Sequence, residues 1–224
     1  MMSVPSARAL RTSLAMLALA AIAAAGTMPA EAQTIIDEWT KVTPPPPPAL
    51  KPVTLDKATT ALLLLDFSGA QDPSKGPCNS KNKPRCIASL PNMQALLAKA
   101  RQDGVYVVWS VAGAGTRNDI ATAIAPSASD PVVKSGPDKF VGTNLDKLLA
   151  DKHISTVIVT GTAAEGAVLD TATDAALRGM KVVVPVDGMS STDLYAEQYV
   201  AWHLVNAPGV STKTTLTTST DISF

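Results

Sequence analysis

Ile154-Ser-Thr-Val-Ile-Val159, Gly161-Thr-Ala-Ala-Glu-Gly-Ala-Val168 and Val182-Val-Val-Pro-Val186 decide how this chain folds. The first and last are short apolar runs, the pattern of strands buried on both faces beneath helices. Between them, Glu165 to Arg178 has helical spacing and stops at Gly179, a residue suited to the left-handed backbone of a helix end. Strand, helix and strand in this order make a right-handed crossover between parallel strands.

Working outward, the same alternation repeats. Ala61-Leu-Leu-Leu-Leu65 and Val105-Tyr-Val-Val-Trp109 read as further buried strands, and Pro131 to Lys134 and Val210 to Thr217 as shorter extended pieces. Helices are expected over Pro91 to Asp103, which stops at Gly104, from the Thr143-Asn-Leu-Asp146 cap to Asp151, and over Thr192 to Asn206, which ends before Pro208. The expected class is α/β: a three-layer, Rossmann-like fold with a parallel sheet of about six strands and helices on both faces.

Composition removes several function classes. The 224 residues carry 19 Lys and Arg against 19 Asp and Glu, with 17% charged and 46% hydrophobic residues. No basic footprint exists for a nucleic-acid partner, and the apolar content is enough to offset chain ordering. Cys78, Cys86, His153 and His203 show no close ligand-pair spacing, so neither a metal nor another cofactor is expected.

At the start of the chain, Arg8 and Arg11 precede an apolar run from Leu14 to Ala25, and Ala30-Glu31-Ala32 fits a small-x-small cleavage pattern. Residues 1–32 therefore read as a signal peptide cleaved after Ala32, giving a periplasmic or secreted protein with no membrane span in the mature chain. Residues 33–57 read as an arm. Ile35, Ile36 and Trp39 suit one turn of helix, and Pro44 to Pro48 make a polyproline spacer of about 15 Å. The domain proper is 58–224. In an oxidising compartment Cys78 and Cys86 are expected to close a loop by a disulfide contributing about 2.6 kcal/mol, with two free thiols as the alternative.

Ligands of such sheets lie outside the carboxyl ends of the strands. That rule selects Asp66 after the first strand, Lys134 at the end of the third, and the Gly161–Val168 segment after the fourth. Here the chain resembles the isochorismatase-like cysteine hydrolases, the group containing nicotinamidases and related amidases. The resemblance covers about residues 58 to 216. It rests on Leu62-Leu-Leu-Leu-Asp66, on Val133-Lys134 followed by Phe140 and Thr143-Asn-Leu145, on Val159-Thr-Gly161 followed by Val168 and Thr171-Ala172, and on Arg178-Gly-Met-Lys-Val-Val-Val-Pro-Val-Asp187.

The resemblance implies a catalytic Asp, Lys and Cys, placed at Asp66, Lys134 and position 167, with the Thr162–Ala163 peptide bond cis and shaping an oxyanion hole. Position 167 is alanine. It supplies an amide hydrogen but no thiolate, and loss of a nucleophile from a concerted set costs on the order of 10⁶ in turnover. Two further departures stand beside it. Ser110-Val-Ala-Gly-Ala-Gly-Thr116 lacks the metal ligands of nicotinamidases, and Phe67-Ser-Gly-Ala-Gln71 differs from the family pattern after the Asp.

Asp66 and Lys134 therefore have two readings, substrate handling or an ion pair locking strand ends. Glu165 is either a first-turn carboxylate favoured by the helix dipole or a replacement nucleophile or base. Phe140 is core or pocket lining, Trp109 and Trp202 are core, His153 is a solvated turn residue, and His203 makes a local hydrogen bond. Two functions follow. One is an exported hydrolase of small amides or related carbonyl compounds that works without a thiol; the other is a pseudoenzyme binding a small molecule or partner protein in the inherited pocket. The resemblance also implies a homo-oligomer, with the arm available to embrace a neighbour.

Overall fold

The structure is a computed structural model and describes residues 34–72 and 74–224, so the expected signal peptide lies outside the described residues. Residues 34–44 form a small unit of their own, in which α1 (Ile35–Glu38) leads into a 3₁₀ turn and Ile35, Ile36 and Trp39 are exposed. The body runs from Pro45 to Phe224. Its elements, in chain order, are β1 (Val53–Thr54), β2 (Thr60–Leu65), α2 (Pro84–Asp103), β3 (Tyr106–Ala112), β4 (Val132–Ser135), α3 (Leu145–Ala150) and β5 (Thr156–Thr162). There follow α4 (Leu169–Leu177), β6 (Lys181–Pro185), β7 (Met189–Ser190), α5 (Leu194–Asn206), β8 (Thr214–Thr217) and β9 (Ile222–Ser223).

The main sheet has seven strands, ordered β4-β3-β2-β5-β6-β8, with β7 pairing the end of β5; every pairing is parallel. Side-chain alternation along each strand divides the core into two. Leu63 and Leu65 of β2, Val157 and Val159 of β5, and Val182 and Val184 of β6 pack with Leu145, Leu149, Ala172, Ala175, Val200 and Leu204 of α3, α4 and α5. Leu62, Leu64, Ile158 and Val183 face the other way, onto Met93, Leu96, Leu97 and Ala100 of α2. Each of Leu62 to Leu65 is fully buried, worth roughly 1.5–3 kcal/mol apiece. This is the three-layer α/β architecture that the alternating runs predict.

Two expectations change in detail. Helix α2 begins at Pro84, seven residues before the expected start at Pro91, because a proline at the first helical position gives up no hydrogen bond. Cys86 therefore sits in its first turn, not in a coreless loop, and both cysteines are buried beside Phe67 and Met93. The stretch expected to form an arm as far as residue 57 is held on the body from Pro45 onward, where Gln198 Nε2 donates to Pro45 O (2.6 Å). The Lys51 amide donates to Leu216 O (2.9 Å), the Leu55 amide donates to Ser223 O (2.8 Å), and β1 pairs in parallel with β9.

The strand order fixes where a site can form. From β2 the chain builds outward through β3 to β4, then returns to β5 on the opposite side of β2 and builds the other way. The carboxyl ends of β2 and β5 thus flank the switch point, where diverging loops leave a crevice.

Candidate active site

Asp66 is the first residue beyond β2 and adopts φ 57°, a left-handed conformation uncommon for a side-chain-bearing residue but tolerated by Asp. That turn carries its carboxyl group into the interior, where it is 4% exposed. Both oxygens are engaged. Ser110 Oγ, at the end of β3, donates to Oδ1 (2.6 Å), and Lys139 Nζ donates to Oδ2 (2.6 Å). Burial pushes Asp66 above the ordinary carboxylate range, against the pull of Lys139 and the hydrogen bonds from Lys139 and Ser110.

The lysine at the site is Lys139, which corrects the placement at Lys134. β4 is the sheet edge, and alternation along it buries Val133 and turns Lys134 outward to solvent. Lys139 lies past β4 on the connection to α3 and is completely buried. Its ammonium also donates to Gly136 O (2.6 Å), and its amide donates to Thr171 Oγ1 of α4 (3.2 Å). Lys139 follows no strand end, so the rule that selects strand-end residues does not reach it.

On the other side of the switch point, Gly161 has φ +144°, and a Cβ there would stand 2.3 Å from Leu65 O. Only glycine lets β5 run this close to the end of β2. The next bond, Thr162–Ala163, is cis. A π-helical turn, Ala164–Val168, then opens α4, a local form frequent at functional sites. Ala167 lies within it, 3% exposed, in the same apolar cluster as Leu65 and Phe140. Thr171, one helical turn further on, holds the Lys139 backbone. The structure therefore brings Asp66, Lys139, the cis bond and Ala167 to one rim of the sheet.

The remaining expected residues lie elsewhere. Glu165 is exposed. Phe140 is no pocket wall: it is buried in the core with the Arg178 guanidinium 4.5 Å from its ring centroid, so its face is already covered. His153 is exposed in a turn, and Nδ1 of His203 lies 3.4 Å from Tyr199 OH on α5. Trp109 is fully buried and donates to Ile124 O (2.8 Å), whereas Trp202, expected in the core, is exposed on α5. Among the described residues, no group of three or more His, Cys, Asp or Glu is placed to hold a metal.

Beside the buried corner, the loops after β2 and β3 enclose a cleft of about 560 Å³. Its walls include Ser68, Gly69, Gly76, Pro77, Gly113 and Gly115, with Asp72, Lys75 and Asp119 among its charged groups. Cys78 and Cys86 form a disulfide beneath the first loop. The Cys78 amide donates to Ser68 O (2.9 Å), and the Gly69 amide to Asp119 O (2.8 Å), so the bridge, the loop and the opposite wall are linked.

Residues 60–216 match the isochorismatase domain family. The chain is 30% identical over 124 residues to an N-carbamoylsarcosine amidase of an Arthrobacter species, covering 43% of this chain and 47% of that one. This chain thus spans about half the length of that amidase. It is 29% identical over 154 residues to a secreted isochorismatase effector of Verticillium dahliae, covering 64% of this chain and 78% of that one. The crystal structure of a cysteine hydrolase from Pseudomonas syringae superposes with a TM-score of 0.64 at 20% identity, over 78% of this chain and 95% of the other. With most of its length matched and the same architecture, the chain belongs to the isochorismatase domain family.

Proposed function

We propose that this chain is an exported isochorismatase-fold protein that binds a small amide or related carbonyl compound without thiol-dependent hydrolysis. One observation carries the reading. A buried methyl group stands at position 167, and the two ionic groups that would serve a thiol there are bonded to each other. The carboxylate that would take the thiol proton has both oxygens occupied, and Glu165, the candidate replacement, is turned to solvent. Binding capacity is supported by the adjoining cleft, whose volume falls in the range of small-molecule sites. Export is supported by the disulfide, since such bridges persist in oxidising compartments, and by the N-terminal sequence.

A second reading, hydrolysis by a water molecule in place of the thiol, is favoured by the retention of Asp66 and Lys139 together at the rim. Equilibrium binding and turnover measured on the same amides, nicotinamide and N-carbamoylsarcosine included, separate the two. Binding with no turnover above background is the expected result. Turnover that disappears in Asp66→Asn would establish the water mechanism instead.

A further inference from the structure

We infer that a hollow at the amino-terminal end of the sheet binds a small phosphate monoester, its phosphoryl group held between Lys181 and Lys213. This goes beyond the amide-binding reading and does not rest on it, because the hollow lies at the opposite end of the strands from Asp66 and Ala167.

The hollow follows from how the two faces of the sheet are covered. Three helices, α3, α4 and α5, pack on one face, whereas α2 packs on the other, over Leu62, Leu64, Ile158 and Val183. The margin of that second face is completed by β1, which is two residues long and pairs with β9, not with the main sheet. Val53 and Leu55 are partly buried against the core there. Between them and the starts of β5, β6 and β8 remains a space of about 380 Å³, within the range of small-molecule sites.

Strand register sets two cations side by side in it. Val182 pairs with Thr214, and the Val182 amide donates to Lys213 O (2.9 Å), so Lys181 at the start of β6 and Lys213 just before β8 are neighbours across the ladder. Adjacent strands lie about 4.8 Å apart, and like charges placed opposite each other repel. Both lysines line the hollow, and among the described residues no Asp or Glu does. Several other cations of the chain are matched: Lys147 lies 2.6 Å from Asp151, Arg178 2.9 Å from Asp174 and Arg101 2.9 Å from Asp130. Among the described residues, no ion pair engages Lys181 or Lys213. An anion seated between them turns that repulsion into attraction.

The charge count chooses the ligand. Two ammonium groups call for two negative charges, and a phosphate monoester carries about −1.5 to −2 at pH 7 on three acceptor oxygens. Lysine binds phosphate as a point charge, and the hydroxyls of Thr54, Thr156 and Thr212 supply further donors at the walls, with Thr156 beside Lys181 in register. A carboxylate brings one charge and leaves the second lysine unmatched. Val53 and Leu55 form an apolar wall for the organic part of an ester, which inorganic phosphate cannot use.

The test titrates phenyl phosphate, inorganic phosphate and benzoate calorimetrically into wild type, Lys181→Gln, Lys213→Gln, the double variant and Lys134→Gln. All three lysines are exposed, so the substitutions should leave the fold intact, and Lys134→Gln removes the same charge on β4, the far edge of the sheet. Wild type should bind phenyl phosphate most tightly of the three. Each substitution in the hollow should weaken that binding by about 3- to 10-fold, and the double variant more than either, whereas Lys134→Gln should stay within about 2-fold of wild type. Undiminished binding in Lys181→Gln or Lys213→Gln, or an equal loss in Lys134→Gln, overturns the site. Wild type that binds neither phosphate compound overturns it as well. Benzoate that binds as tightly as phenyl phosphate and is lost with the same two lysines overturns the dianion assignment. Inorganic phosphate bound as tightly as phenyl phosphate makes the free ion the occupant and overturns the ester.

Discussion

Asp66 and Ser68 are separated by Phe67 alone, yet they belong to opposite regimes. Every polar atom of the Asp66 carboxyl group is met within the protein, whereas the Ser68 hydroxyl is met by nothing. The first belongs to a sealed corner with Lys139 and Ala167, the second to an open cleft with glycine walls. Acidic and basic groups at a strand rim do not by themselves mark working chemistry. A buried pair whose polar atoms are all met within the protein satisfies itself, and the unmet group nearby is the better guide to where a ligand goes.

The largest expected effect comes from breaking the sealed corner. Lys139→Ala leaves a buried carboxylate without its cation and should cost about 3–5 kcal/mol in denaturant unfolding. Lys134→Ala, on the exposed side of the edge strand, should stay within about 0.5 kcal/mol. Combining Asp66→Leu with Lys139→Met should recover most of the loss, because no lone charge then remains buried. Equal effects at Lys134 and Lys139 would reverse the assignment of the lysine.

An intermediate effect should come from the disulfide. Replacing Cys78 and Cys86 together by serine removes the closure of a short loop, worth about 2.6 kcal/mol on the chain-entropy estimate. Because the Cys78 amide holds the Ser68 carbonyl, amide binding should weaken alongside stability. Calorimetric affinity unchanged in the double serine variant would show that the cleft wall does not depend on the bridge.

The smallest effect, and the one that sharpens the contrast most, is in the pH response. Donors from Ser74 hold Asp72 down at about 2, and those from Thr116 hold Asp119 below the ordinary value of 3.8. A carboxyl lower in the folded than in the unfolded chain gives stability above its unfolded value, which is lost as pH falls from 3.8 towards about 2. Asp66 has the opposite sign. Burial raises it, so its contribution favours the fold below the ordinary value and is lost as pH rises through the raised one. Acidification over that window should lower the amide hydrogen-exchange protection of Gly69 and Ile120 in the cleft loops, measured against their intrinsic rates, before it lowers that of Asp66. Simultaneous loss of protection at all three would merge the two regions into one.

The fold was legible in the sequence because period and punctuation agreed. Runs such as Leu62 to Leu65 alternate between two helical layers, and Gly104 and Gly179 close their helices where the pattern stops. The corner was legible only in part. Asp66 and the Gly161–Val168 segment follow strand ends, so the strand rule pointed to them, whereas position 167 was singled out by the family resemblance. Lys139 follows no strand end, because it reaches the corner through a turn beyond an edge strand, and a linear pattern carries no record of which lysine folds inward. Ser110 and Ser68 were opaque for a related reason: a serine is ordinary in sequence, and only its surroundings reveal whether its hydroxyl is paired.

We propose that the corner formed by Asp66, Lys139 and Ala167 would depress the pKa of a thiol placed at position 167. Ala167→Cys tests it directly by the pH dependence of alkylation. With the buried Lys139 ammonium nearby and the turn that opens α4 around it, the new thiol should titrate well below the ordinary cysteine value of about 8.5. A thiol at position 167 that reacts with the pH profile of free cysteine would place it away from the Asp66–Lys139 corner.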